Sequence, residues 1–157
     1  MGEPHYAQAL PADVLKDKVA KIYPIEKNHH PDAVKSEKDA RVERRGNEVH
    51  VYMTAIRSHF TPDNIEGIQV GDTVYFHVTN LEQDWDIPHG FAVFGSENAE
   101  LLIMPGETKT LKWLPKKVGV YPFYCTDFCS ALHQEMQGYV RVSEPGANVP
   151  ISYGTGK

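Results

Sequence analysis

From Glu48 to Ala55 the chain reads EVHVYMTA, with Val49, Val51, Met53 and Ala55 alternating with His50, Tyr52 and Thr54. A period of two is what a strand with one face on a core requires, because successive side chains leave opposite faces. The alternation returns in TVYFHVT, where Val74, Phe76 and Val78 share one face and Tyr75, His77 and Thr79 the other, just after the turn pair Gly71-Asp72. Further strands are expected at 91–94, 108–114, 120–124 and 139–142, separated by the turn-forming stretches GSENAE, MPGET and PKKVG. Roughly six or seven short strands within about 95 residues predict an all-β sandwich. Upstream the pattern is different. Residues 1–46 are dense in Lys, Glu, Asp and Pro, and only 12–22 carries a weak helical periodicity, through Val14, Leu15, Val19 and Ile22. We read 1–46 as an irregular lead-in segment and 47–157 as the β-domain, with no internal repeat in either.

Composition narrows the function classes. With 157 residues, 41% of them hydrophobic, the chain has enough apolar material for one core. Eleven prolines and twelve glycines favour strands and loops over a helical bundle. A formal charge of −5 argues against a nucleic-acid surface and leaves room for a basic protein partner. There is no apolar run long enough for a membrane-spanning helix. The N-terminus lacks the basic and apolar regions of a signal peptide, so the sequence reads as a processed or cloned fragment.

Both cysteines of the chain lie in YCTDFCSALHQEM, Tyr124 to Met136, where Cys125, Cys129, His133 and Met136 are spaced C-x3-C-x3-H-x2-M. Three chemistries compete for this segment. Two cysteines four apart can reach the Cα separation of a disulfide. Structural zinc would use Cys125, Cys129, His133 and a further histidine, but leaves Met136 without a role. A thioether is a soft donor suited to copper, and a His, Cys and Met set is the donor pattern of copper electron-transfer sites. A mononuclear blue site needs one thiolate, whereas two thiolates can bridge two metal ions. The remaining donor is expected from WDIPHGF, which offers His89 in a loop between two predicted strands, since loops at one end of a sandwich cluster in space.

Taken together, CTDFC, ALH and EM at Cys125–Met136, with DIPHGF upstream, resemble the dinuclear copper A motif of nitrous-oxide reductase. The resemblance covers about the last 110 residues, and NLEQDWDIPHGF with GVYPFYCTDFCSALHQEMQGYVRV looks most like the branch exported by the general secretion route. It implies a cupredoxin-like Greek-key sandwich. It further implies that Cys125 and Cys129 bridge two copper ions, that His89 and His133 each bind one, and that Met136 and the backbone carbonyl of Asp127 are weak ligands. Asp127 departs from the tryptophan common at that position, which takes away an electron route through that residue but not a carbonyl donor. Cytochrome oxidase subunit II shares the ligand spacing, with different residues around the histidine and with transmembrane helices.

The same resemblance implies an electron-entry domain in the periplasm. Electrons would come from a c-type cytochrome or similar donor and pass to the catalytic copper cluster on a propeller domain, in an enzyme that is a homodimer. His5, in GEPH, resembles the end of that propeller. A copper-binding or assembly protein and a disulfide-stapled binding domain are the competing classes. The acidic run Glu82, Asp84 and Asp86 is expected either to steer a basic donor or to form a solvated loop. Trp85, Trp113, Tyr121, Phe123 and Phe128 are read first as packing residues and second as an electron route. His29, His30, His50, His59 and His77 are read as solvated rather than ligating.

Overall fold

The computed structural model describes residues 28–57, 59–84, 87–97, 100–126 and 136–155. Among them are eleven strands: β1 (Arg41–Arg45), β2 (Glu48–Ile56), β3 (His59–Thr61), β4 (Asn64–Gln69), β5 (Thr73–Asn80), β6 (His89–Val93), β7 (Leu101–Ile103), β8 (Thr108–Trp113), β9 (Gly119–Tyr124), β10 (Gln137–Ser143) and β11 (Ser152–Gly154). They form two sheets. One runs β1-β2-β5-β8 with β3 on the far end of β2, and the other runs β11-β4-β10-β9-β6-β7. The pairs β2·β5 and β4·β10 are parallel, and the rest are antiparallel.

The alternating residues do what their period requires. Val49, Val51, Met53 and Ala55 of β2 and Val74, Phe76 and Val78 of β5 are all fully buried between the sheets. Four phenylalanines close the middle: Phe60 and Phe76 come from one sheet and Phe91 and Phe123 from the other, with ring centroids 5.2–6.2 Å apart. Each such ring contributes about 1.5–3 kcal/mol by burial, and edge-to-face pairs add about 1 kcal/mol. This block sits beneath the end of the sandwich where β5 and β9 finish and β6 begins.

Five strands were not read from the pattern. Strand β1, RVERR, lies inside the charged stretch 1–46, yet pairs residue by residue with β2 and buries Val42. The β-sheet therefore begins before residue 47. Residues 28–34 also pack on this sheet: Asn28 donates to the Thr108 hydroxyl, and the Val34 N–H donates to Thr79 Oγ1. That strap explains why Tyr52, His77 and Thr79, on the face expected to be polar, are buried. Strand β4 is hidden for a different reason. Gly67 has φ +101°, and a Cβ there would lie 2.6–2.7 Å from the backbone of Pro150 and Ile151, so the glycine admits the C-terminal segment and breaks the alternation. Strands β3, β7 and β11 have three residues each, too few for a period to register.

Candidate metal centre

His89 is the first residue of β6 rather than a loop residue. It pairs with Ile103 of β7 and is fully buried. Its Nε2 lies 2.9 Å from Oε2 of Glu82, and the same carboxylate oxygen accepts the Arg57 N–H at 2.5 Å. A carboxylate can only accept, so Nε2 carries the proton and the ring lone pair is on Nδ1. A histidine that donates one ring N–H to a carboxylate while the other nitrogen faces a metal is the usual arrangement of a ligating imidazole, with ring angle and tautomer both fixed.

Strand register brings Cys125 and Met136 to the same end. Ala92 and Val93 of β6 pair with Tyr124 and Phe123 of β9 in antiparallel order. His89 therefore lies towards the end of β9 where Cys125 follows Tyr124. The N–H of Cys125 donates to the carbonyl of Met136 at 3.0 Å, which joins the two ends of the segment CTDFCSALHQEM. Cys125 and Met136 both belong to the buried core, together with Phe91, Ile103 and Phe123. The intervening Asp127, Cys129 and His133 lie outside the described residues. Among the described residues no group of three or more His, Cys, Asp and Glu side chains could hold a metal ion. Cys125 is disulfide-bonded. That is the oxidised form of a two-cysteine set, and two electrons and two protons must open it before either sulfur can bind a soft ion. The buried Met136 thioether, the Cys125 sulfur and the carboxylate-oriented His89 imidazole are donor types that suit copper.

The acidic run behaves differently from expectation. Glu82 is buried against His89 and does not face an incoming partner. Asp84 is exposed and lies 3.9 Å from Arg57, while Asp86 lies outside the described residues. Trp113 and Phe123 are core residues and Tyr121 packs against that core, with Trp113 and Tyr121 rings 5.1 Å apart. Trp85 and Phe128 lie outside the described residues.

Two histidines expected to be solvated are not. His50 and His77, on adjacent strands β2 and β5, bring Nδ1 and Nε2 to 2.9 Å with ring centroids 5.1 Å apart, and stack on Tyr75 and Tyr52 at 4.9 and 5.0 Å respectively. Burial lowers the pKa of His77 to about 4, against the opposing pull of Asp32, 3.7 Å away. His59 hydrogen-bonds Glu37.

Against this geometry the comparisons are specific. The chain is 35% identical over 111 residues to nitrous-oxide reductase of Stutzerimonas stutzeri, a match covering 71% of this chain and 17% of that enzyme. It is 33% identical over 136 residues to the enzyme of Cupriavidus necator, covering 87% of this chain and 20% of that one. With cytochrome c oxidase subunit 2 of Thermus thermophilus it shares 32% identity over 105 residues, covering 67% of this chain and 73% of the subunit. The chain belongs to the copper A domain family. This copper A domain spans about a fifth of the length of the nitrous-oxide reductases it matches. No protein-family profile matches it. Among solved structures, a heme-copper terminal oxidase dimer superposes with a TM-score of 0.55 at 22% identity, over 88% of this chain and 97% of that one. Copper nitrite reductase of Nitrosomonas europaea superposes at 0.53 and 21% identity, over 66% and 44%. These likenesses show the cupredoxin-like sandwich. Among the described residues no helix is long and apolar enough to cross a membrane.

Proposed function

We propose that this domain is an electron-transfer module built on a dinuclear copper A centre. Its ligands would be His89, Cys125, Cys129, His133 and Met136, with the carbonyl of Asp127 as a sixth, weak donor. The observation that carries this reading is the buried His89, gripped by Glu82 and set by β-register at the end where Cys125 and Met136 are joined. Held by these residues, a copper pair would supply a one-electron carrier with its charge shared between the two ions. The chain's own residues do the rest. The phenylalanine block packs with Cys125 and Met136 and keeps water from them, and strand pairing fixes His89, so these residues would rearrange little when an electron arrives or leaves.

The electron source is a c-type cytochrome or similar donor. The destination is the catalytic copper cluster of a nitrous-oxide reductase, carried on a propeller domain and completed in the homodimer. The identity to that enzyme supports this assignment, and the setting is the periplasm. With Glu82 buried, Asp84 is the described residue of that acidic run left to attract a basic donor.

A disulfide at Cys125 also favours a second reading, a stapled domain that takes no metal. One experiment separates the two. After reduction and loading with copper, the chain is expected to hold two copper ions per molecule and to show an electron-paramagnetic-resonance spectrum of one unpaired electron shared by both. A single copper, a preference for zinc, or no uptake after reduction would refute the dinuclear reading.

A further inference from the structure

Asn80 ends β5, is fully buried and lies outside the ligand set. Its side-chain amide donates two hydrogen bonds, to the carbonyl of Ile87 at 3.0 Å and to the carbonyl of Ile103 at 2.9 Å. Ile87 is two residues before His89 on its own strand approach. Ile103 is the residue paired with His89 across β6 and β7. The Asn80 Oδ1 accepts the N–H of Glu82 at 2.8 Å, and Glu82 in turn carries the carboxylate on the His89 ring. The main chain of Asn80 is also engaged: its N–H donates to Glu107 and its carbonyl accepts from Gly106.

One side chain therefore holds the backbone before His89, the backbone opposite His89, and the backbone of the group that orients its ring. No other residue type of this size does all three. Aspartate lacks the two donors and would turn a carboxylate toward two carbonyls. Leucine or alanine would leave two buried carbonyls and a buried N–H to find other partners. We propose that Asn80 is a positioning residue for His89, setting the ring's tautomer and location before any metal arrives. The proposal rests on His89 being a copper ligand for its functional consequence, but not for the positioning itself.

Asn28 provides a matched control. It too is buried and donates through its amide to the Gly106 turn and to Thr108, but it makes no bond to the segments that flank His89. The test uses the full chain with Asn80→Ala, Asn80→Asp and Asn28→Ala. In the reduced, metal-free protein, nitrogen-15 spectra of His89 are expected to show a single Nε2–H tautomer in the wild type and in Asn28→Ala, and mixed tautomers in both Asn80 variants. After copper loading, transfer of copper to a Cu(I) chelator is expected to be about tenfold faster or more in the Asn80 variants. In Asn28→Ala it should stay within about twofold of wild type, with unchanged hyperfine structure. The isosteric Asn80→Asp keeps the test available if alanine at this position does not fold. Wild-type His89 spectra in the Asn80 variants, or copper release matching Asn28→Ala at equal loss of urea stability, would overturn the proposal. If no variant or wild type binds a copper pair while the tautomer still scrambles, the copper reading fails and the positioning of His89 stands.

Discussion

Alanine at position 138 tests how tightly the scaffold beneath the centre is packed. Gly138 lies in β10, two residues after Met136 and opposite Phe123 of β9. Its backbone does not need glycine for conformation; it needs the space. A Cβ built there would sit 2.7 Å from Cε1 of Phe123, and closer still to Cζ of that ring and to the carbonyl oxygen of Asp63, where ordinary contact is 3.4–4 Å. Neither obstacle yields easily. The Phe123 ring is enclosed by Phe60, Phe76 and Phe91, and the Asp63 carbonyl accepts the Tyr139 N–H at 2.8 Å, next to the parallel β4·β10 pairing. Overpacking of a core costs about 1–3 kcal/mol, and stretching one buried backbone hydrogen bond adds about 1 kcal/mol. Gly138→Ala is therefore expected to lose about 2–4 kcal/mol, a large share of the ~5–15 kcal/mol of a typical domain. Urea unfolding of the reduced chain measures it, with an unchanged m-value as the check that the same transition is followed. Phe123→Leu in the same background should recover about 1 kcal/mol or more of coupling, because it removes the ring but not the Asp63 carbonyl. A loss below about 0.5 kcal/mol, or strict additivity of the two substitutions, would refute the packing argument.

Three other substitutions probe separate parts of the domain. Glu82→Gln keeps one oxygen able to accept from both Arg57 and His89 but removes the charge. It should fold, and should weaken copper retention in a chelator competition about tenfold; wild-type retention would mean that the carboxylate does not orient the ligand. Met136→Leu removes a weak thioether at nearly constant volume, so both coppers should remain while the midpoint potential rises. Cys125→Ser should abolish the dinuclear spectrum, and equal copper loss in the two variants would contradict the assigned roles. His77 bears on acid stability. Its pKa is about 4 when folded, against 6.5 for the ordinary side chain, so the unfolded chain binds the proton more readily. This contribution is complete above pH 6.5 and is lost as pH falls towards 4. The cap is ~3 kcal/mol, with the pull of Asp32 already in the folded value, and solvent at the edge of the pair reduces it further. His77→Asn should flatten the drop in urea midpoint between pH 7 and pH 4.5, and an unchanged slope would refute this.

What the sequence revealed follows from the length scale of each signal. Strands β2 and β5 were legible because eight or nine residues alternate over two or more full periods, and both bury the face the pattern names. Strand β1 was not, since RVERR has a single apolar residue and its pairing depends on β2, not on its own composition. The outer faces of β2 and β5 were misjudged for a related reason. His50, Tyr52 and His77 are polar enough to face water, but the strap from Asn28 to Val34 covers them, and nothing in a charged lead-in announces that it will dock.

The site divides along the same line. Cys125, Cys129, His133 and Met136 could be read together because they fall in one short window, and His89 was expected from a loop at that end of the sandwich, though it is in fact the first residue of β6. Glu82 carried the opposite signal. An acid in a run with Asp84 and Asp86 looks like surface, and the bond that makes it interior depends on a partner seven residues away, beyond a loop. Asn80 gave less still, since its three hydrogen-bond partners at positions 82, 87 and 103 define its role only once β6 and β7 have paired. A local cue does exist. The run TVYFHVTN ends a buried strand on an amide, where the next N–H groups must find acceptors away from the ladder. An asparagine or aspartate at such a strand end, followed by an acid and then a candidate ligand histidine within ten residues, is a pattern that points to a supporting shell rather than to a solvated loop. In this chain, reading it that way would have put Glu82 beside His89 before any coordinates were known.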